Sequence, residues 1–175
     1  MKNLILILVI VFLAINCSSP TEPINEITIE DYFPYDEYTI FTYRAVVNND
    51  TSFYYDEVDE HILSYKEQNV YCLNGHYYNV IIDGEWREYD SFPSDSGEYI
   101  IFLKEPLEVG TQITETRYIT KTDISLRTAR FGIINNCIAT STQTGSGDTA
   151  YYAIGYGEIK RSFKDNYVID LIEIE

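Results

Sequence analysis

Hydrophobic and polar positions along the 175-residue chain follow two different rhythms. From Leu4 to Ile15 the residues are apolar without interruption, whereas beyond Tyr35 apolar and polar residues alternate with the two-residue period of half-buried strands. The alternation is clearest from Tyr38 to Val47, where Ile40, Thr42, Arg44 and Val46 interleave with Phe41, Tyr43 and Ala45. Asn48-Asn49-Asp50 is a turn cluster, and Thr51 to Tyr65 is long enough for one bent strand or two short ones. Val70 to Leu73, His76 to Ile82 and Glu85 to Phe92 are separated by Asn74-Gly75 and Asp83-Gly84. Such pairs favour two-residue hairpin turns, so a three-stranded meander is expected. Further strands are expected over Glu98 to Leu103 and Thr111 to Thr122, separated by the break at Pro106 to Gly110. Asp123 to Arg130 reads as a strand edge or loop, and Phe131 to Gln143 regains strand character. Thr149 to Phe163, with Gly155 and Gly157 inside it, and Tyr167 to Glu175 follow, for about nine or ten strands in all. Helical periodicity longer than two turns is missing after the initial apolar run. Residues 31–175 are therefore expected to form one all-β domain of antiparallel strands, a curled sheet giving a barrel-like or sandwich domain.

Composition agrees with that pattern: 17 Tyr, 8 Phe and 1 Trp accompany many Ile, Thr and Val, the residues that suit a pleated, half-buried surface. The initial run is a different object. Lys2 and Asn3 precede it, Asn16 and Cys17 follow it, and it is too short for a membrane span of about 20 residues. Residues 1–16 read as a cleaved export signal. Ala14-Ile15-Asn16-Cys17 resembles the lipobox, in which lipid, palmitate among its acyl chains, is attached to a cysteine that becomes the mature N-terminus. Asn16 stands where Gly, Ala or Ser is usual; the alternative is an ordinary secretory signal cleaved elsewhere. Ser18-Ser19-Pro20-Thr21-Glu22-Pro23 continues as a polar spacer, so 17–30 is expected to be a lipidated tether. These features predict a lipid-anchored lipoprotein on the exported side of a bacterial envelope, at the outer membrane or cell surface, with the membrane as its first partner.

Charge narrows the partners. The chain carries 12 basic and 28 acidic residues, a formal net charge of −16, and excising residues 1–16 removes Lys2 and no acid. A surface this acidic repels phosphate backbones, which argues against nucleic acid, and it leaves membrane attachment to the acyl chains. With Cys17 lipidated, Cys72 and Cys137 form an even pair in a compartment that tolerates disulfides. A bridge and two buried thiols are both open; the thiols are favoured, because Val70 and Ile138 mark both segments as buried.

Three stretches together resemble a family of uncharacterised bacterial lipoproteins. They are Asp31-Tyr32-Phe33-Pro34 with Phe41 and Tyr43 beyond it, Gly132-Ile133-Ile134-Asn135-Asn136-Cys137-Ile138, and Tyr151 through Lys160 with Gly155-Tyr156-Gly157 at its centre. Tyr38 and Phe41 stand where the family pattern has glycine and tryptophan. The resemblance implies a small β domain on a lipid anchor and implies no activity. From the residues alone, Gly155 and Gly157 share one strand face, where a missing side chain lets the sheet bend or a neighbouring aromatic lie over the backbone.

Candidate chemistry is sparse. On a strand, Glu57, Asp59 and His61 share one face at about 7 Å spacing and are the weak candidates for a metal site, against the simpler reading of a solvated strand face. His61 and His76 are the only imidazoles, and no nucleophile elbow, phosphate loop or zinc-spaced cysteine set occurs. A carboxylate pair picked from 28 acids carries no weight for glycoside hydrolysis. No catalytic residue and no cofactor is therefore expected. In each of the pairs Tyr54-Tyr55, Tyr77-Tyr78 and Tyr151-Tyr152 one ring is expected to face the core and the other the outside, where a stripe of tyrosine would suit a glycan or protein of the envelope. The expected function is a non-enzymatic binding or structural domain. A carrier or sensor of an apolar ligand inside a curled sheet is the alternative, and a hydrolase the third reading.

Overall fold

The computed structural model of the chain describes residues 26–60, 62–142, 147–164 and 166–175; the signal 1–16, Cys17, most of the tether and His61 lie outside them. A 3-10 turn at Ile29–Tyr32 leads into twelve strands among the described residues: β1 Ile40–Val47, β2 Asp50–Glu57, β3 Leu63–Tyr65, β4 Gln68–Leu73, β5 Tyr77–Ile82, β6 Glu85–Tyr89, β7 Ile100–Lys104, β8 Arg117–Arg127, β9 Ile133–Thr142, β10 Thr149–Ala153, β11 Gly157–Ser162 and β12 Tyr167–Ile174. They form a seven-stranded sheet in the order β2-β1-β12-β11-β10-β9-β8 and a five-stranded sheet in the order β3-β4-β5-β6-β7. All pairings are antiparallel. The two sheets pack as a sandwich and do not close into a barrel.

The long segment after the first hairpin resolves as two strands in different sheets. Between them Val58 bridges Leu73, the Asp59 N–H donates to the Cys72 carbonyl at 2.8 Å and the Asn74 N–H to the Glu57 carbonyl at 2.9 Å. One corner of the sandwich is thus sewn by backbone hydrogen bonds. Asp83-Gly84 is a two-residue turn with Ile82 paired to Glu85. Asn74-Gly75 keeps the same left-handed conformation at both positions, φ 51° and 76°, but His76 adds a third residue to that loop before Tyr77 pairs with Leu73.

Three expectations are corrected. Thr149 to Phe163 is a hairpin, β10 and β11, with Gly155 in its turn at φ 73° and Gly157 at φ 67°. The stretch Thr111 to Glu115 is loop, and β8 begins at Arg117. It then runs through the segment read as edge or loop, because Asp123 adopts φ 53° and the register against β9 shifts between Lys121 and Ile124. An irregular strand loses its alternation, which is why the pattern looked poor there.

The core fills the space between the sheets with Ile29, Trp86, Leu103, Ile138 and Tyr152 in one cluster and Phe41, Val58, Cys137, Ile159 and Leu171 in another. Cys72 and Cys137 are both buried and unbridged, small apolar fillers as expected.

The three stretches that carry the family resemblance meet in space. Tyr32 donates its hydroxyl to the Asn136 carbonyl at 2.7 Å, the Gly155 N–H donates to the Asp31 carbonyl at 2.8 Å, and Pro34 lies so close to Gly157 that a Cβ there would sit 2.6 Å from its Cγ. Phe33 and Tyr35 pack edge-on against Trp86 with centroids 5.2 and 5.7 Å away. The extended lead-in held by Pro34 therefore runs between the sheets, and the missing side chain of Gly157 leaves the room that Pro34 fills. Gly157 is filled by Pro34 and opens no room for a ligand.

Candidate functional site

Several depressions border this lead-in, and one of them opens between the two sheets. A cleft of about 240 Å³ opens between the sheets, walled by Pro34 and Tyr35, by Tyr43, Tyr54 and Asp56 of β1 and β2, by Trp86 and Glu88 of β6, by Phe102, and by Glu158 and Arg161 of β11. Each side chain reaches it for a local reason. Tyr54 and Asp56 are two residues apart on β2 and share a face. Tyr43 pairs directly with Tyr54 across β1 and β2, and the two rings stack with centroids 5.1 Å apart and planes at 16°. Trp86 and Glu88 share the inner face of β6, and Asn79 on β5 holds both. Trp86 Nε1–H donates to Asn79 Oδ1 at 2.8 Å, and Asn79 Nδ2–H donates to Glu88 Oε2 at 3.2 Å.

Two bulges complete the wall. In β11 the register moves from Tyr152 opposite Glu158 to Tyr151 opposite Lys160, which leaves Ile159 as an extra residue. Glu158 and Arg161 would face opposite ways on a regular strand; the extra residue turns them to the same side. There Arg161 Nε–H donates to Glu158 Oε1 at 2.8 Å and Nη2 donates to Oε2. In β7, Phe102 is the extra residue between the partners of Trp86 and Arg87, and its ring lies 5.2 Å from Trp86.

Electrostatics set the cleft apart. Burial pushes the Asp56 carboxyl above the ordinary 3.8, with a hydrogen bond from Asn74 opposing the shift. Burial also raises Glu88 above 4.5, against the hydrogen bond from Asn79 and the nearby Arg161 charge, and with added repulsion from Asp56 and Asp90. Burial drives the Tyr35 and Tyr43 phenols well above 10.0, and neighbouring carboxylates add to it. Among the described residues no hydrogen-bond partner holds the hydroxyls of Tyr35, Tyr43 or Tyr54.

No family model, curated protein or solved structure matches the chain. Its chemistry rests on this geometry.

The residues singled out from the sequence lie elsewhere. Glu57 ends β2 and Asp59 follows the corner; both line a surface depression with Tyr38, Glu60 and Cys72. His61 is outside the described residues, and among those no group of three His, Cys, Asp or Glu side chains is placed to hold a metal. Cys72 is pushed up to about 11 by burial and by the adjacent Asp59, so it stays a thiol at neutral pH. His76 is exposed and leans on Tyr77. Of the tyrosine pairs, only Tyr151-Tyr152 puts one ring fully inside; Tyr54 and Tyr55 are both exposed on edge strand β2, with Tyr54 turned to the cleft. Sequence reading missed Asp56, Glu88, Glu158 and Arg161 as a set. The one local signal for half of them was the alternation that puts Tyr54 with Asp56 and Trp86 with Glu88.

Proposed function

We propose that the chain is a lipid-anchored protein of the bacterial cell envelope whose β-sandwich is a non-enzymatic binding module, with the cleft between its sheets as the binding site. The observation that carries this reading is the cleft itself: a gap between the sheets into which a carboxylate from each sheet, Asp56 and Glu88, faces with only a neutral amide as its hydrogen-bond partner. Asp56 and Glu88 are shifted in the same direction. Glycoside hydrolysis instead divides a raised acid from an ionised partner, so binding is favoured over catalysis. A carrier of an apolar ligand would line its cavity with apolar groups; Asp56, Glu88 and the Glu158–Arg161 pair weigh against it. The anchor rests on Cys17 and the apolar run before it.

Two experiments test the two halves. Cys17→Ser should move the exported protein from the membrane to the soluble fraction; continued membrane retention would remove the anchor. Trp86 is the chain's one tryptophan and lines the cleft, so its emission should shift saturably when small envelope-derived compounds and glycan fragments are titrated into the mature protein in detergent. A flat response across the set would remove the binding module.

A further inference from the structure

We propose that the cleft takes an organic cation, a primary or quaternary ammonium group seated between Asp56 and Glu88 with its carbon portion against the rings of Tyr43, Tyr54 and Trp86. This deepens the binding reading and rests on it. The first reason is the pattern of charge. Elsewhere in the fold the recessed carboxylates face cations: Glu85 meets Arg87 and Lys104, Asp170 meets Arg44 and Lys160, and Asp148 meets Arg117. In the cleft Glu158 keeps to the pattern with Arg161, but Asp56 and Glu88 do not. Asp56 is held by the Asn74 amide at 2.8 Å and Glu88 by the Asn79 amide at 3.2 Å, both neutral donors. Arg161 is the one cationic side chain in the wall, and Glu158 already engages two of its nitrogens. Two carboxylates on opposite sheets thus face a shared space with no ion-pair partner; Arg161 acts on Glu88 only from a distance, while bound to Glu158.

The second reason is the material between them. Stacked Tyr43 and Tyr54 offer the electron-rich faces that attract alkylammonium groups, an attraction that gains strength where water is displaced, and the Trp86 indole, packed among other rings, closes the floor beside them. The hydroxyls of Tyr35, Tyr43 and Tyr54 have no partner among the described residues and can accept from an ammonium N–H. A bare divalent ion fits poorly, since calcium wants about six to eight oxygen ligands and among the described residues no three acidic, His or Cys side chains are placed to hold one. The volume, about 240 Å³, lies just under the ~300–1,000 Å³ of drug-sized sites, which points to a cation of few carbons or to the tip of a larger one. The net charge of −16 draws cations to the molecule as a whole.

The test titrates choline and n-butylammonium into the mature protein in detergent at fixed ionic strength, beside 3,3-dimethyl-1-butanol as the neutral isostere of choline, N-acetylglucosamine as a neutral sugar, and calcium chloride. The readouts are Trp86 emission and calorimetry. Saturable binding of the ammonium probes is expected, with the neutral isostere at least about tenfold weaker. Asp56→Asn and Glu88→Gln should each weaken choline by roughly tenfold, and thermal melts should show both variants folded. Binding of the sugar or the isostere as tight as choline, or choline binding unchanged in both variants, would overturn the cation while leaving the cleft as a binding site. Displacement of choline by micromolar calcium would overturn it in favour of a metal. Silence from every probe would overturn the cation and the binding reading together.

Discussion

Glu85 and Glu88 stand on the same short strand and receive opposite treatment. Glu85 lies on the outer face of β6, where Arg87 Nε donates to it at 2.7 Å and Lys104 stands 2.8 Å away. Burial would raise its carboxyl, but these two cations outweigh it and hold the group below 4.5. Glu88, on the inner face, is raised above 4.5 by burial, against a neutral amide, with Asp56 and Asp90 adding repulsion and Arg161, already bound to Glu158, opposing it only weakly. The fold thus places ion-pair partners on the outer side of β6, whereas the one cation near the inner side, Arg161, is engaged by Glu158. A carboxylate left without an ion pair beside a cleft is held at a cost in stability, which accords with the proposed binding role.

The largest way to break the comparison is to move the wall on which Trp86 and Glu88 depend. Gly157→Ala would drive a Cβ into Pro34, at 2.6 Å from Cγ, and place it 3.4 Å from Trp86 in a backbone with φ 67°. A loss of about 3 kcal/mol is expected from overpacking and left-handed strain together, read as an unfolding midpoint shift in urea with unchanged slope.

Next in size is the compensated side. Glu85→Gln should cost about 2 kcal/mol, because Arg87 has a side chain only 13% exposed and loses its charged partner. Its pH dependence follows from the lowered carboxyl: the contribution is present above 4.5 and is lost as pH falls through the lower folded-state value. Denaturation of wild type and variant should converge toward acid pH.

Opposite behaviour is expected inside the cleft. Asp56 and Glu88 have folded-state values above 3.8 and 4.5, so their contribution is fully present below those values and lost as pH rises through the raised ones. At neutral pH the Asp56→Asn/Glu88→Gln double variant should be more stable than wild type by on the order of 1 kcal/mol, a gain of about 2–4 °C in midpoint. The gap should close near pH 4. A double variant less stable than wild type at neutral pH would mean that a partner for these carboxylates exists within the fold.

The smallest effect sharpens the local reading. Tyr38 stands at φ 63°, 59% exposed, where the resembled pattern has glycine. Tyr38→Gly should relieve left-handed strain and lose chain entropy in nearly equal measure, a net gain of a few tenths of a kcal/mol by thermal melt.

What was legible in the sequence was local. Alternation around Tyr43 and Tyr54, the tyrosine and threonine content, and the Asn-Gly and Asp-Gly pairs each act within a few residues, and the all-β antiparallel fold with its hairpins follows from them, while the choice of sandwich over barrel does not. The cleft depends on distant pairings. Asp56 and Glu88 sit on different sheets, and nothing near either residue announces the other. Glu158 and Arg161 face the cleft only because Ile159 is bulged, and a bulge is set by the partner strand. Gly155 and Gly157 were placed within one strand because their neighbours are aromatic on both sides; the positive φ angles that make them a turn leave no mark on hydrophobic rhythm.

The most direct test of the uncompensated cleft is a carboxyl-carbon NMR titration of the mature protein, with Glu85 as the reference on the same strand. Glu85 should titrate below 4.5, Glu88 above 4.5 and Asp56 above 3.8, and saturating choline should bring the last two down toward those ordinary values. Glu88 titrating at or below Glu85 without any ligand would contradict the account.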